Sequence, residues 1–131
     1  MIIYDIFPGD VGIIYFAAYT RGVITYNPHR GKWGQGESGD EGLLKHVVSI
    51  NEDSAFHIWF GTEGRGAVRY TPSSGDLTAY TTRDGLPNDV VYKVIEDKNK
   101  NLWISTNKGL ACYEPLSGNL KVYTSGNGLT S

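Results

Sequence analysis

The sequence has a single cysteine, no long apolar run and almost no net charge. Because Cys112 stands alone among 131 residues, no disulfide can form within the chain and no thiolate cluster can bind a metal. No apolar run approaches the roughly 20 residues that cross a bilayer as a helix. The net charge of −2 gives no electrostatic reason to expect a nucleic acid or an anionic membrane as a partner. We therefore expect no nucleic-acid partner and no membrane span.

The amino terminus, MIIYDIFPGD, lacks the basic segment and the cleavage site of a secretory signal peptide. A lone cysteine is equally compatible with the cytoplasm and the periplasm. The residues by themselves therefore leave a cytoplasmic location open.

Helical periodicity is also missing, since apolar residues nowhere recur every 3.6 positions over a helical length. Glycine and tyrosine, with 17 and nine residues, are abundant instead, and this mixture suits short strands joined by tight turns. In the last third, the segments VVYKVIED, LWIST, LACYE and LKVYT are separated by KNKN, NKG and PLSGN. The pattern predicts an all-β fold without helices.

The same pattern occurs three times. Unlike residue types return every 43 or 44 residues, namely Tyr15, Trp59 and Trp103; Gly22, Gly66 and Gly109; Tyr26, Tyr70 and Tyr113; Pro28, Pro72 and Pro115; and Gly42, Gly85 and Gly128. Four short strands in roughly 40 to 45 residues are typical of a β-propeller blade. We therefore predict one β-propeller fragment over residues 1–131, with three four-stranded antiparallel blades at about 1–41, 42–84 and 85–127.

Several repeated residues have predicted structural roles. The glycine before the third strand of each unit indicates a tight turn with a positive φ or with little room for a side chain. The Pro-x-x-Gly segments predict the turn into the fourth strand. Trp59 and Trp103 are expected to pack between blades. Asp53 and Asp97 end the first strand of their units and are expected to accept hydrogen bonds from turn amides.

Three blades are fewer than the four or more of a closed propeller. The incomplete ring leaves one face of each terminal blade uncovered, roughly 300 Å² per face from strand spacing and length. Covering such a face is worth on the order of 7 kcal/mol before opposing costs. We therefore expect either a homo-oligomer, in which two copies meet head to tail in a six-bladed ring, or further blades from a longer chain.

Patterns that would indicate catalysis or metal binding are weak. His29, His46 and His57 fall at different phases of the repeat and share no metal-ligand spacing. The adjacent carboxylates at 52–53 and 96–97 point to opposite faces of a strand, so neither pair can flank one bond. The segment GTEGRG at 61–66 lacks the end of a phosphate-binding loop. We therefore expect neither an enzyme nor a bound metal or other cofactor.

One set of residues favours a binding site. A basic residue precedes the repeat glycine of each unit, and propeller geometry places these turns on one face with the segments that enter each inner strand. Such a face suits an anionic or polyhydroxyl ligand, although a solvated turn that merely favours polar residues is the alternative interpretation. The predicted ligand-binding residues are Arg21, Arg65, Lys108, Tyr19, Glu63, Arg83, Asn88 and Asp89.

The last unit, GLPNDVVYKVIEDKNKNLWISTNKGLACYEPLSGNLKVYTSGNGL, resembles the two-component regulator propeller repeat. The matching positions are Asp97, Trp103, Thr106, Gly109 and Tyr113, and in the second unit Asp53, Trp59, Thr62, Gly66 and Tyr70. The first unit departs from the pattern, because Tyr15 stands in place of tryptophan and two alanines, at 17 and 18, stand in place of Gly–Thr.

The resemblance implies a periplasmic sensor region of a bacterial two-component signalling system that recognises a carbohydrate or another nutrient. Two other functions stay open. One is a structural scaffold that binds protein partners through its loops or open blade edges, without a small-molecule ligand. The other is a propeller lyase or glycosidase, which would need converging acids and bases that the three units do not show.

Overall fold

The computed structural model describes residues 1–9, 12–35 and 42–124, which form three antiparallel sheets of four strands. The strands are β1 (Ile3–Pro8), β2 (Ile14–Ala18), β3 (Gly22–Asn27) and β4 (Lys32–Gln35) in blade 1; β5 (Val47–Glu52), β6 (Ile58–Thr62), β7 (Ala67–Thr71) and β8 (Asp76–Tyr80) in blade 2; and β9 (Val91–Glu96), β10 (Leu102–Thr106), β11 (Gly109–Glu114) and β12 (Asn119–Tyr123) in blade 3. Strands consecutive in sequence are neighbours in every sheet. The predicted all-β fold with three four-stranded blades in an open ring is confirmed. The boundary at residue 41 and the repeat glycine Gly128 lie outside the described residues.

One short helical turn departs from the all-strand expectation. Residues Thr82–Asp84 form a single turn of 3-10 helix in the connection between blades 2 and 3. The Thr81 hydroxyl accepts a hydrogen bond from the Arg83 amide, and the Asp84 carboxylate accepts one from the Thr81 amide. This reciprocal capping stabilises a turn that is too short to show any apolar periodicity in the sequence.

Each pair of neighbouring blades encloses one hydrophobic core. The core between blades 1 and 2 contains Tyr15, Ala17, Val23, Leu44, Val47, Ile50, Ile58, Phe60 and Val68. The core between blades 2 and 3 contains Trp59, Ala67, Leu86, Val91, Val94, Leu102, Ile104 and Ala111. Trp59 is only 2% exposed, which confirms that it packs between blades.

The two terminal blades each have a face with no described blade against it. Cross-strand pairing gives the outer face of blade 1 the apolar residues Ile6, Ile14, Phe16, Ile24, Tyr26 and Trp33. The outer face of blade 3 carries Ile95, Trp103, Leu110, Cys112 and Tyr123, together with Lys93 and Lys121. Trp33 is 66% exposed and Ile6 59%. Trp103, the equivalent of Trp59, lies on the outer face of blade 3, where it is partly buried and packs against Tyr123. Among the described residues, no further blade covers it.

The repeat glycines meet both conditions that the sequence predicts. Gly22, Gly66 and Gly109 have φ angles of 81°, 79° and 131°. A Cβ atom on Gly66 would lie 2.1 Å from the Tyr80 carbonyl oxygen, and one on Gly22 would lie 2.1 Å from the Leu44 carbonyl oxygen. Only glycine lets the turn between the second and third strands approach the connecting segment this closely.

A pair of glycine substitutions separates crowding from backbone strain. Gly75 has a φ of 80°, close to that of Gly66, but a Cβ atom there would meet nothing within 4 Å. We expect Gly75→Ala to lower the free energy of unfolding by about 1–2 kcal/mol, the cost of a left-handed residue with a side chain. Gly66→Ala should cost clearly more, because the Tyr80 carbonyl must also move. Urea unfolding followed by circular dichroism measures both, and equal losses would contradict the close approach.

Candidate functional site

The predicted basic residues lie on one edge of the blades, which we call the turn face. It consists of the turns at 19–21, 63–66 and 107–108 and of the connection 81–90. The amides of Gly64 and Gly66 donate to the Asp89 carbonyl oxygen at 3.1 and 2.9 Å, and the Asn107 amide donates to the Val90 carbonyl oxygen at 3.0 Å. These bonds hold the β6–β7 and β10–β11 turns against the connection that enters blade 3.

The four cations of the set are exposed on the turn face. Arg21, Arg65 and Lys108 occupy equivalent turns of the three blades, and Arg83 lies in the 3-10 turn. Their side chains make no hydrogen bond or ion pair within the described part of the chain. They are available to a ligand, and their role in binding stays a prediction.

Tyr19 and Glu63 bind each other across the junction of blades 1 and 2. The Tyr19 hydroxyl donates to the Glu63 carboxylate, and this bond raises the pKa of Tyr19 above its ordinary value of 10.0. The Tyr19 ring also packs on His46, with 4.7 Å between ring centroids, and on Tyr4, with 5.4 Å. The two residues therefore form a fixed aromatic and acidic cluster beside the turn of Arg21.

Asn88 and Asp89 shape the loop that carries them. The Asp89 carboxylate accepts a hydrogen bond of 2.7 Å from the Thr82 amide, and the Asn88 side-chain oxygen accepts one of 2.8 Å from the Val90 amide. Half of the predicted set, namely Tyr19, Glu63, Asn88 and Asp89, thus already takes part in internal hydrogen bonds.

The opposite edge of the blades contains a pairing that the sequence prediction missed. The Asp53 carboxylate accepts hydrogen bonds from the amides of Ala55 and His57, which confirms its turn role, and also from the Trp59 indole N–H at 2.8 Å. Asp97 repeats the arrangement with two turn amides and the indole of Trp103 at 2.8 Å. An aspartate six residues before a tryptophan, repeated 44 residues later, was the available signal.

Blade 1 replaces this pair by Gly9 and Tyr15. The Gly9 amide donates to the Ile13 carbonyl oxygen at 2.8 Å, as the Asp53 amide does to His57 at 2.9 Å, so the two turns correspond. A Cβ atom on Gly9 would lie 3.0 Å from the Tyr15 ring. Burial raises the pKa of Tyr15 to about 12. The first unit therefore departs from the repeat at both members of the aspartate–tryptophan pair.

Within residues 1–9, 12–35 and 42–124, no three histidine, cysteine or carboxylate side chains come together as ligands for one metal ion. The same residues contain no helix that is long and apolar enough to cross a membrane.

The comparisons with known proteins agree with the repeat. Residues 85–108 match the family described as two component regulator propeller, which confirms the resemblance of the third unit. The extracellular domain of a hybrid two-component system from B. thetaiotaomicron superposes with a TM-score of 0.81 at 26% identity. That of a one-component system from the same organism superposes with a TM-score of 0.73 at 26% identity. No curated protein sequence matches the chain.

The alignments cover nearly all of this chain but only a small part of each extracellular domain. It includes 97% and 95% of this chain but 17% of each of the two extracellular domains, so the chain spans about a sixth of their length. Virginiamycin B lyase from Staphylococcus aureus superposes with a TM-score of 0.72 over 93% of this chain and 41% of the lyase. At 20% identity, the likeness to the lyase shows the fold alone.

The aspartate–tryptophan pair predicts a pH dependence of stability. The Trp103 indole and the amides of Asn101 and Asn99 lower the pKa of Asp97 below its ordinary value of 3.8. Because the folded value is the lower one, the ionised carboxylate stabilises the fold above about pH 4, and this contribution is lost as the pH falls through the folded value. Asp97→Asn should therefore lower the urea midpoint at neutral pH by more than it does at about pH 3.

Asp76, the exposed first residue of β8, provides the matched control, because among the described residues its carboxylate accepts a hydrogen bond only from the nearby Ser74 hydroxyl. Asp76→Asn should change the midpoint little at either pH. If Asp97→Asn lowers the urea midpoint by the same amount at neutral and acid pH, the carboxylate charge is not what stabilises the turn.

Proposed function

We propose that the chain is part of the extracellular sensory region of a bacterial two-component-type signalling protein and that it acts by binding rather than by catalysis. One observation carries the proposal: nearly the whole chain superposes on such a domain at 26% identity. The match of residues 85–108 to the regulator propeller repeat supports it. A location outside the cytoplasm, in the periplasm, follows from the same proposal.

The ligand in this proposal is a carbohydrate or another nutrient that contacts the turn face. Arg21, Arg65 and Lys108 offer charged donors from three successive blades, which suits a ligand rich in hydroxyl or anionic oxygens. The three carboxylates of this face, Glu63, Asp84 and Asp89, each accept a hydrogen bond within the described structure. This engagement supports binding without reaction.

The outer faces of blades 1 and 3 would be covered in the intact assembly. Further blades of a longer chain are the arrangement that we favour, because the similar extracellular domains are about six times as long as the aligned segment. A head-to-tail pair of copies, in which blade 3 of one meets blade 1 of the other in a six-bladed ring, is the alternative.

A protein-binding scaffold is the second candidate function. The outer face of blade 1 supports it, since Trp33 and Ile6 are both more than half exposed on an otherwise apolar sheet. Exposed apolar patches of this kind mark interaction surfaces. In that case a protein partner would bind the chain while small molecules would not.

The test is a thermal-shift screen of sugars and other metabolites, followed by calorimetry on any compound that stabilises the chain. We expect Arg65→Ala combined with Lys108→Ala to weaken that ligand at least about tenfold, because each substitution removes a charged hydrogen-bond donor. Arg30→Ala combined with Lys98→Ala is the matched control, since it removes two exposed cations from turns at the opposite edge. Unchanged affinity in the first double variant would exclude the turn face.

A further inference from the structure

Cavities lie at both junctions between blades, and one from each junction shares four repeat positions of its lining. The one between blades 1 and 2 measures about 230 Å³, and its lining includes Ile13, Tyr15, Thr25 and Tyr70, whereas a wider cavity of about 610 Å³ at the same junction adjoins Phe56 and Pro72. The cavity between blades 2 and 3 measures about 380 Å³, and the equivalent lining residues are His57, Trp59, Arg69 and Tyr113. We call the second one the Arg69 cavity. It opens beside the turns at 53–57, 97–101 and 114–116, at the edge opposite the turn face.

The two junctions differ chemically in a way that packing does not require. The repeat places an isoleucine and a threonine in the cavity of about 230 Å³ where the Arg69 cavity has His57 and Arg69. Both cavities lie beside cores of buried aliphatic and aromatic residues. Since the apolar version already joins two blades, the polar version indicates an added role at the second junction.

Arg69 is a cation that forms no ion pair with the described residues. Its guanidinium lies over the rings of Trp59 and Tyr80, 5.9 and 5.6 Å from their centroids. Its Nε atom is buried and has no hydrogen-bond partner among the described residues. Burial raises the pKa of Tyr80 to about 12, so this ring stays neutral at physiological pH. Ring contacts compensate only part of the cost of such a cation, and a carboxylate would compensate more.

The carboxylates that line the cavity are already engaged elsewhere. Asp53 accepts four hydrogen bonds, from two turn amides, the Trp59 indole and His57 Nδ1. Glu96 accepts two, from the amide and the hydroxyl of Ser54, at 2.9 and 2.8 Å. Neither carboxylate pairs with Arg69 in the described structure, and the buried Arg69 Nε is left without an acceptor, so the partner that this guanidinium lacks is an acceptor.

The remaining polar lining describes the rest of the ligand. Asn99, Lys100 and Asn101 stand at the rim and offer amide and ammonium donors, while the buried Leu102 adds an apolar contact. The lining holds two cations, Arg69 and Lys100, against two carboxylates, so no net positive field favours a phosphate or a sulfate. The volume lies within the range of small-molecule sites.

We propose that the Arg69 cavity binds a small monocarboxylate that also carries hydroxyl groups, with its carboxylate paired to the Arg69 guanidinium. A planar guanidinium forms two parallel hydrogen bonds with a carboxylate, which fixes the orientation of the ligand. The rim amides then contact its hydroxyl groups. This site is at the opposite edge from the turn face, so it does not depend on the proposed sensory function.

The test is titration of the full chain with glucuronate and gluconate, with glucose as the neutral control, by calorimetry and by NMR of the tryptophan indole N–H signals. We expect both acids to bind and glucose not to bind at the same concentrations. The Trp59 signal should shift, whereas that of Trp103, which lies on the outer face of blade 3, should not. Arg69→Gln should weaken binding about ten- to a hundredfold.

Two further variants keep the test decisive if Arg69→Gln does not fold. Arg69→Lys keeps the charge but loses the two-bond geometry, so it should bind more weakly than the native chain. Lys100→Gln changes an exposed rim residue and should weaken the acids without loss of stability. Arg30→Gln, which changes an exposed cation in the turn between β3 and β4 of blade 1, should have no effect. The proposal is overturned if neither acid shifts the Trp59 signal, if glucose shifts that signal equally well, or if a folded Arg69 variant keeps native affinity in the Trp59 titration.

Discussion

A blade of this fold is an antiparallel sheet with two apolar faces, and each face must be covered by another sheet. Blade 2 meets this condition on both sides, since one core lies against each of its faces. Blades 1 and 3 meet it on one side among the described residues. Two contacts support the core between blades 2 and 3. The close approach at Gly66 fixes one edge of blade 2, and the hydrogen bond from Trp59 to Asp53 fixes the largest side chain of that core.

The repeat and its departures have different consequences. Positions that recur every 43 or 44 residues build the blades, and their roles are turns, close approaches and core packing. Residues that break the recurrence, such as Arg69 where the other blades have Thr25 and Cys112, are not explained by blade packing. In a repeat protein the binding chemistry is therefore best sought among the positions at which one unit differs from the others.

The sequence predicts the fold well because the strand pattern is local and is repeated three times. It also predicts the turn roles of the repeat glycines and of Asp53 and Asp97. It fails to show that Tyr19 binds Glu63 or that Arg69 lies over the rings of Trp59 and Tyr80, because these contacts join residues of different strands or blades. Strand periodicity gives the face of a side chain, whereas its partner depends on register and blade packing.

The requirement for covered faces is tested most directly by the mass of the chain in solution. Light scattering at micromolar concentration should give a mass above the 14.4 kDa of one copy, because the outer faces of blades 1 and 3 associate with other copies. A discrete dimer would indicate the six-bladed ring, and larger species would indicate faces that further blades normally cover. A folded, stable monomer at these concentrations would contradict the account.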